Sequence, residues 1–418
     1  MRKFTLSLCL IVSSLMASQG LGQQPDLPQQ LSLEQALLYA REHSPLLLAA
    51  REEVQAAKGS ELTAGLRPNP TFSLNSESYP LFEPSPGAFL NRQELVMTVE
   101  QPIETARKRY WRERVAAAAR EFVESQASDV QRLVKLRVEQ AYSQVLLAQA
   151  DLDSARELLA DYDRIVAINK ARFEKGAISG GEFRRIEIER FRFLDDVIVS
   201  ESNLHNAKVA LLTEIGYPHV GSDFETTGSL DVKPVEASME QLSEDAVRYR
   251  PDLGSQRFRL QQARNEMSLQ KAIAVPNVSP YVGYKRDFGM NTLAFGIRVP
   301  LQVFNRNQGE IARAAAEQRS QDFRLLMTER RIREEVAQAY NNFRAQERRL
   351  REIQDFYLER ARESRDIAAE SYRLGGIDLL ILLDAERSYR EVVRTFNRAR
   401  YGAVVGRFEL EAAVGKEL

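Results

Sequence analysis

One cysteine, one tryptophan and three histidines are all that 418 residues contain of those types. The cysteine, Cys9, lies in an N-terminal segment that reads as removable. The mature chain would then have no disulfide, no thiolate metal site and no cysteine nucleophile. His43, His205 and His219 are far apart and lack ligand spacing, so neither a metal site nor a cofactor is expected. Glycine (21) and proline (15) are sparse, which leaves room for long uninterrupted elements. Neither sign of charge dominates: 58 basic side chains face 59 acidic ones, for a net charge of -1. That excludes a strongly basic nucleic-acid binder. A mean hydropathy of -0.38 argues against a bundle of membrane-spanning helices. There is no P-loop, no His-Glu-x-x-His, no Gly-x-Ser-x-Gly and no Cys/His pair, so no enzyme is expected.

What is present begins with a secretory pattern over residues 1–22. Met1-Arg2-Lys3 is basic, Phe4 to Met16 is apolar but too short to span a bilayer, and Ala17, Ser18, Gly20 and Gly22 offer cleavage sites. Lipidation of Cys9 is disfavoured, because Leu8 stands where a small residue is needed. The whole chain is 44% apolar and 28% charged, an ordinary folded composition.

A tandem repeat organises that remainder. Ser32-Leu-Glu-Gln and Ser238-Met-Glu-Gln each open a helical pattern with a capping box, and each has proline thirteen residues later, Pro45 and Pro251. The offset is 206 at these starts. It is 198 at Pro102/Pro300 and at Tyr142/Tyr340, and 199 at Gly176/Gly375 and Gly216/Gly415. The division is therefore a first repeat over residues 23–226 and a second over 227–418.

Each repeat predicts a helix (32–66; 238–274), a proline break and two short alternating strands (71–79 and 93–100; 277–285 and 291–299). A very long helix (106–172; 304–371), a glycine turn and a returning helix (183–214; 379–413) follow. In 291–299 the odd positions Leu293, Phe295, Ile297 and Val299 alternate with smaller or polar residues. The long helices carry a 4-3 seam. It runs Val134, Val138, Ala141, Val145, Ala148, Leu152, Ala155, Leu159 in one copy, and Ile332, Val336, Ala339, Phe343, Gln346, Leu350, Ile353, Tyr357 in the other. That period gives left-handed coiled coils.

A helix of about 65 residues is about 100 Å long at 1.5 Å per residue. Strands of nine or ten residues cross a bilayer when tilted. Four strands cannot close a barrel, and open edges in lipid leave backbone groups unsatisfied. Membrane-spanning strands would therefore require several copies to share one barrel, with three supplying about twelve strands and two about eight around a narrow, filled interior.

The duplicated Ser-x-Glu-Gln starts, Leu66-Arg-Pro-Asn-Pro70, Gln101-Pro-Ile-Glu104 with Lys108-Arg109, and the two tips Arg172-Phe-Glu-Lys-Gly-Ala-Ile-Ser179 and Tyr372-Arg-Leu-Gly-Gly-Ile-Asp378 carry a resemblance. The chain resembles TolC-type outer-membrane efflux proteins over essentially its whole mature length, and most closely their heavy-metal (cobalt–zinc–cadmium) branch. That branch usually has Gly-Gly after Gln-Pro-Ile-Glu-Leu, whereas Thr105-Ala106 intervene here. The resemblance implies a TolC-like fold, with a trimeric twelve-stranded outer-membrane β-barrel above a periplasmic α-barrel of coiled coils. It also implies a homotrimer in outer-membrane lipid, a periplasmic adaptor and an inner-membrane RND-type pump. The cargo would be heavy-metal cations, with drug efflux or type I protein secretion as the alternatives. A soluble periplasmic coiled-coil scaffold is a more distant one.

By the same resemblance Lys175, Gly176, Ala177, Leu374, Gly375 and Gly376 would form adaptor-docking tips, although glycine caps helices in any protein. Asp384 stands where the family places a carboxylate ring at the periplasmic gate, and Glu182 matches an acidic tip position. Both could equally be ordinary solvated carboxylates. Ile377 and Ile381 stand where some members have an Arg latch and a second Asp, so the gate would close by apolar contact. Tyr79, Phe82, Phe89, Tyr281 and Tyr284 could form an interfacial aromatic belt or simply pack within the sheet.

Overall fold

The computed structural model describes residues 27–77, 94–219, 223–287 and 289–418. The secretory segment, Tyr79, Phe82, Phe89 and the connection after Tyr79 lie outside the described residues. The first repeat comprises β1 (Gln30–Leu31), α1 (Leu33–His43), α2 (Pro45–Gly65), β2 (Thr71–Glu77), β3 (Glu94–Glu100), α3 (Lys108–Glu174) and α4 (Gly180–Ile215). After β4 (Glu225–Thr226) the second comprises α5 (Met239–Tyr249), α6 (Pro251–Ile273), β5 (Ser279–Asp287), β6 (Met290–Arg298) and α7 (Gln308–Glu352). A π-helical turn, Ile353–Tyr357, then leads to α8 (Leu358–Arg373) and α9 (Leu379–Val414).

Each expected first helix is in fact two. Ser44 and Arg250, the residues before Pro45 and Pro251, take ψ of 122° and 123°. Proline forbids α geometry at its predecessor, so the chain turns there and restarts with proline at N1. The capping boxes form as expected, with Ser32 and Ser238 accepting from Gln35 and Gln241. The 67 residues of α3 contain no glycine or proline, so nothing interrupts the helix.

The second seam departs from expectation in an informative way. Ile332, Val336, Phe343 and Ile353 are buried, but Tyr357 is 57% exposed. Burial resumes at Ala368 and Tyr372. One residue is added at the π turn, so the 4-3 rhythm takes a single step of five before continuing. The same added residue explains why the repeat offset grows from 198 to 199. Gln346, polar within the seam, packs on Gly402, where a Cβ would meet its amide oxygen at 2.8 Å.

The non-glycine residues with left-handed backbone among those described are Ala106, Arg107 and Asn307, at φ 53°, 58° and 61°. All three lie where a strand hands over to a long helix. Left-handed geometry costs an L-residue about 1–2 kcal/mol, partly offset by the entropy of a glycine replacement. Ala106→Gly is therefore expected to stabilise the protein by about 1 kcal/mol, read as a rise in unfolding temperature of the detergent-solubilised oligomer. A fall would show that the turn is not strained.

The main sheet runs β2-β3-β5-β6, all antiparallel. Below it the helices lie in the order α2-α3-α6-α7, and toward the far end α4-α3-α9-α8. At each level the two repeats meet through one step: β3 on β5, α3 on α6, α3 on α9. The equivalent step from the second repeat to a further first repeat would be β6 on β2, α7 on α2 and α8 on α4. One chain cannot make it. The surfaces left over are apolar, with Leu62 on α2, Phe323 and Met327 on α7, and Ile188 and Phe191 on α4 all exposed.

Candidate functional site

The sheet has two chemically distinct faces. Its register places Phe72, Val99, Val282 and Phe295 in one rung and Leu74, Met97, Tyr284 and Leu293 in the next. Every member of both rungs is apolar or aromatic. The opposite face has Ser73, Thr98, Gly283 and Ala294 in one rung and Asn75, Val96, Lys285 and Thr292 in another. On that face Lys285 pairs with Glu94 and with Asp287, and Arg298 pairs with Glu100. A strand alternates sides, so this sheet suits a wall with lipid on one side and water on the other. Of the aromatics expected in a belt, Tyr284 lies in an apolar rung. Tyr281, three residues earlier, falls on the polar face against Gly296, beneath the Arg298 guanidinium.

At the other end α3–α4 and α8–α9 form two hairpin tips with the same hydrogen bonds. Ala177 N–H donates to the Arg172 carbonyl and Gly176 N–H to that of Phe173. Gly376 and Gly375 do the same to Ser371 and Tyr372. These are paired 6→1 and 5→2 caps, which need a left-handed residue, and Gly176 and Gly375 supply φ of 72° and 80°. No atom lies within 4 Å of where their Cβ would be. Backbone geometry therefore demands the glycine while the surface around it stays open. Lys175, Gly176, Ala177, Leu374, Gly375 and Gly376 are all exposed, Leu374 at 71%.

The expected gate residues separate. Asp384 and Ile381 are exposed one helical turn apart on α9, alongside Leu380, which the sequence reading had not singled out. Ile377 instead packs against the buried tip cluster of Leu158, Tyr162, Ile186, Phe193, Leu379 and Leu382. Glu182 closes a third capping box, its carboxylate accepting from Ser179 N–H at 2.9 Å. Those hydrogen bonds from Ser179 hold its pKa below the ordinary value.

Sequence reasoning missed the polar ties between the two hairpins. Arg387 on α9 makes a two-pronged bond to Glu189 on α4, at 3.0 and 2.8 Å. That hydrogen bond outweighs burial and keeps the Glu189 pKa low. Arg390 and Arg394 share Asp196. Arg365 reaches Asp161, and the Tyr372 hydroxyl donates to Asn169 at 2.9 Å. Glu386, by contrast, is buried without an ion pair among the described residues, and Glu139 is buried with Lys135 3.7 Å away; desolvation outweighs the nearby cations and pushes each up to about 7. No group of three or more potential ligands that could hold a metal occurs among the described residues.

The chain matches the family described as outer membrane efflux protein over residues 37–216 and 242–416. The cobalt-zinc-cadmium resistance protein CzcC of Cupriavidus metallidurans is 23% identical, over 97% of this chain and 96% of its own length. The outer membrane protein TolC of Vibrio cholerae is 26% identical over 70% of each. Among solved structures, CusC superposes with a TM-score of 0.78 at 19% identity, covering 92% of both chains. VceC of Vibrio cholerae does so at 0.76 and 18%, covering 92% of this chain and 96% of the other.

Proposed function

From the premise that this chain belongs to the outer membrane efflux protein family, and is an outer-membrane efflux channel, we propose that three copies close one duct that carries heavy-metal cations. One observation carries the closure: sheet, upper helices and lower helices all open at the same step. The face left bare on the second repeat is the repeat-equivalent of one already covered within the chain. Such a head-to-tail contact generates a ring when its rotation closes. Three copies of β2-β3-β5-β6 give a twelve-stranded barrel, wide enough for an aqueous lumen. A soluble scaffold would have no use for a sheet with two successive wholly apolar rungs on one exposed face.

In this reading the helical tips dock a periplasmic adaptor driven by an inner-membrane pump, and the channel itself performs no chemistry. Asp384, exposed beside Ile381 and repeated three times around a narrow pore, favours cations over anions. Metal cargo rests on full-length similarity to CzcC together with Gln101-Pro-Ile-Glu104. A strain lacking the channel should become sensitive to cobalt, zinc and cadmium, and the intact gene should restore growth. Leu374→Glu alters only an exposed tip side chain. It is expected to leave oligomer and conductance intact while losing most of the rescue. Unchanged metal sensitivity in the deleted strain, with antibiotic sensitivity gained instead, would reassign the cargo to drugs.

A further inference from the structure

The apolar stripe of β6 does not end with the strand. Leu293, Phe295, Ile297, Val299 and Leu301 alternate along one side, and all are exposed. From Leu293 to Leu301 is about 27 Å along the strand, or about 20 Å along the membrane normal at a tilt of about 40°. The apolar band of outer-membrane barrels is about 25 Å tall. Phe304, 92% exposed, follows at the level where that band ends.

A neighbouring copy does not cover Leu301. The first repeat supplies an internal control, because its junction is already complete. Ile103, the repeat-equivalent of Leu301, is bridged to Val278 of the second repeat by hydrogen bonds in both directions, yet remains 53% exposed. Assembly would therefore leave Leu301 facing outward as well.

Cations stand at the same level. Lys108 is turned inward, its ammonium bonded to the Val275 carbonyl and the Asn277 side chain. Arg112 takes Glu104 for itself. Arg107 and Arg109 flank the buried Lys108 and are exposed, as is Arg306 just past Phe304. Among the described residues none of the three guanidiniums has an ion-pair partner or a hydrogen bond. On the polar face of the sheet, by contrast, Lys285 and Arg298 are both neutralised.

We propose that Arg107, Arg109 and Arg306, with Leu301 and Phe304 above them, form a belt that binds anionic phospholipid headgroups of the periplasmic leaflet. This deepens the duct reading and rests on it. The apolar residues sit among acyl chains and the guanidiniums reach phosphates, which they bind in fork geometry. Each arginine near an anionic surface contributes on the order of fivefold in affinity at low salt.

The test uses the full-length oligomer in nanodiscs of phosphatidylcholine with increasing phosphatidylglycerol. The readout is the unfolding temperature, at low and at high salt. Wild type should be stabilised by phosphatidylglycerol at low salt only. In the triple variant Arg107→Gln, Arg109→Gln, Arg306→Gln, the fraction needed for half the effect should rise at least tenfold. The triple variant's unfolding temperature in pure phosphatidylcholine, equal to wild type, establishes that it is folded. Arg109→Glu alone, expected to weaken the response about tenfold, serves if the triple variant is not. An equal response to both lipids, or a variant that responds like wild type, overturns the belt. Wild-type conductance is read in parallel: a conducting oligomer without lipid preference overturns the belt alone, and no conducting oligomer in either lipid overturns the duct as well.

Discussion

Phe295→Arg is expected to abolish stable insertion into the outer membrane, whereas Ala294→Arg, one residue away, should insert and conduct poorly. The two positions lie on opposite faces of β6. Phe295 completes the rung Phe72–Val99–Val282–Phe295, and Ala294 completes Ser73–Thr98–Gly283–Ala294. An arginine on the lipid side near the bilayer midplane costs about 2–4 kcal/mol. A trimer would incur that cost three times, together approaching the whole stability of an ordinary domain. On the other side the guanidinium meets water, so insertion survives while bulk and charge narrow the lumen among residues that are otherwise small. Carbonate extraction of membranes and single-channel recording separate the outcomes. If Phe295→Arg inserted and conducted normally, the assignment of faces would be wrong, and with it the membrane role of the sheet.

Much of this architecture was legible in the sequence because duplication writes it twice. Paired capping boxes, paired glycines and paired strands reinforce one another where a single copy would be ambiguous. The breaks at Pro45 and Pro251 were visible as residues, but a continuous apolar pattern on either side masked them. The backbone constraint on Ser44 and Arg250 decided the matter. The one-residue growth in repeat offset was also visible. Its cause was not, since an insertion in a helix can be absorbed by a loop, a kink or a π turn, and only packing selects among these. Burial of both Ile353 and Ala368 selects the last. At the tips, Ser179 and Glu182 have the same three-residue spacing as Ser32–Gln35 and Ser238–Gln241. The resemblance to a gate position drew attention away from the cap. Glu189–Arg387 and Arg390–Asp196 were illegible for a different reason. Charged side chains on long helices are mostly solvated, and their partners lie on another hairpin nearly 200 residues away.

Glu386 gives the tip a pH dependence whose sign is fixed by burial. Its side chain lies on α9 at 5% exposure. Arg365 and Asp366 on α8 and Asp161 on α3 act on it, and Arg365 is already engaged by both aspartates. Desolvation dominates and lifts the carboxyl to about 7 from an ordinary 4.5. Between those values the folded protein keeps a proton that the unfolded chain has released. Stability from this group is thus fully present below about pH 4.5 and lost as pH rises through about 7. The loss is on the order of 3 kcal/mol, at 1.36 kcal/mol per unit. Glu386→Gln cannot ionise, so it should match wild type at pH 4.5 and exceed it by about that amount at pH 8. Glu139, also near 7 but midway along α3, should impose the same slope on a different region. Hydrogen exchange distinguishes the two. Amides of Leu379 to Arg387 should lose protection between pH 6 and pH 8, after correction for intrinsic rates, in wild type and in Glu139→Gln, but not in Glu386→Gln. Tip protection that stayed constant with pH, or rose, would mean that Glu386 is solvated in the assembled channel and does not set how tightly the hairpins close.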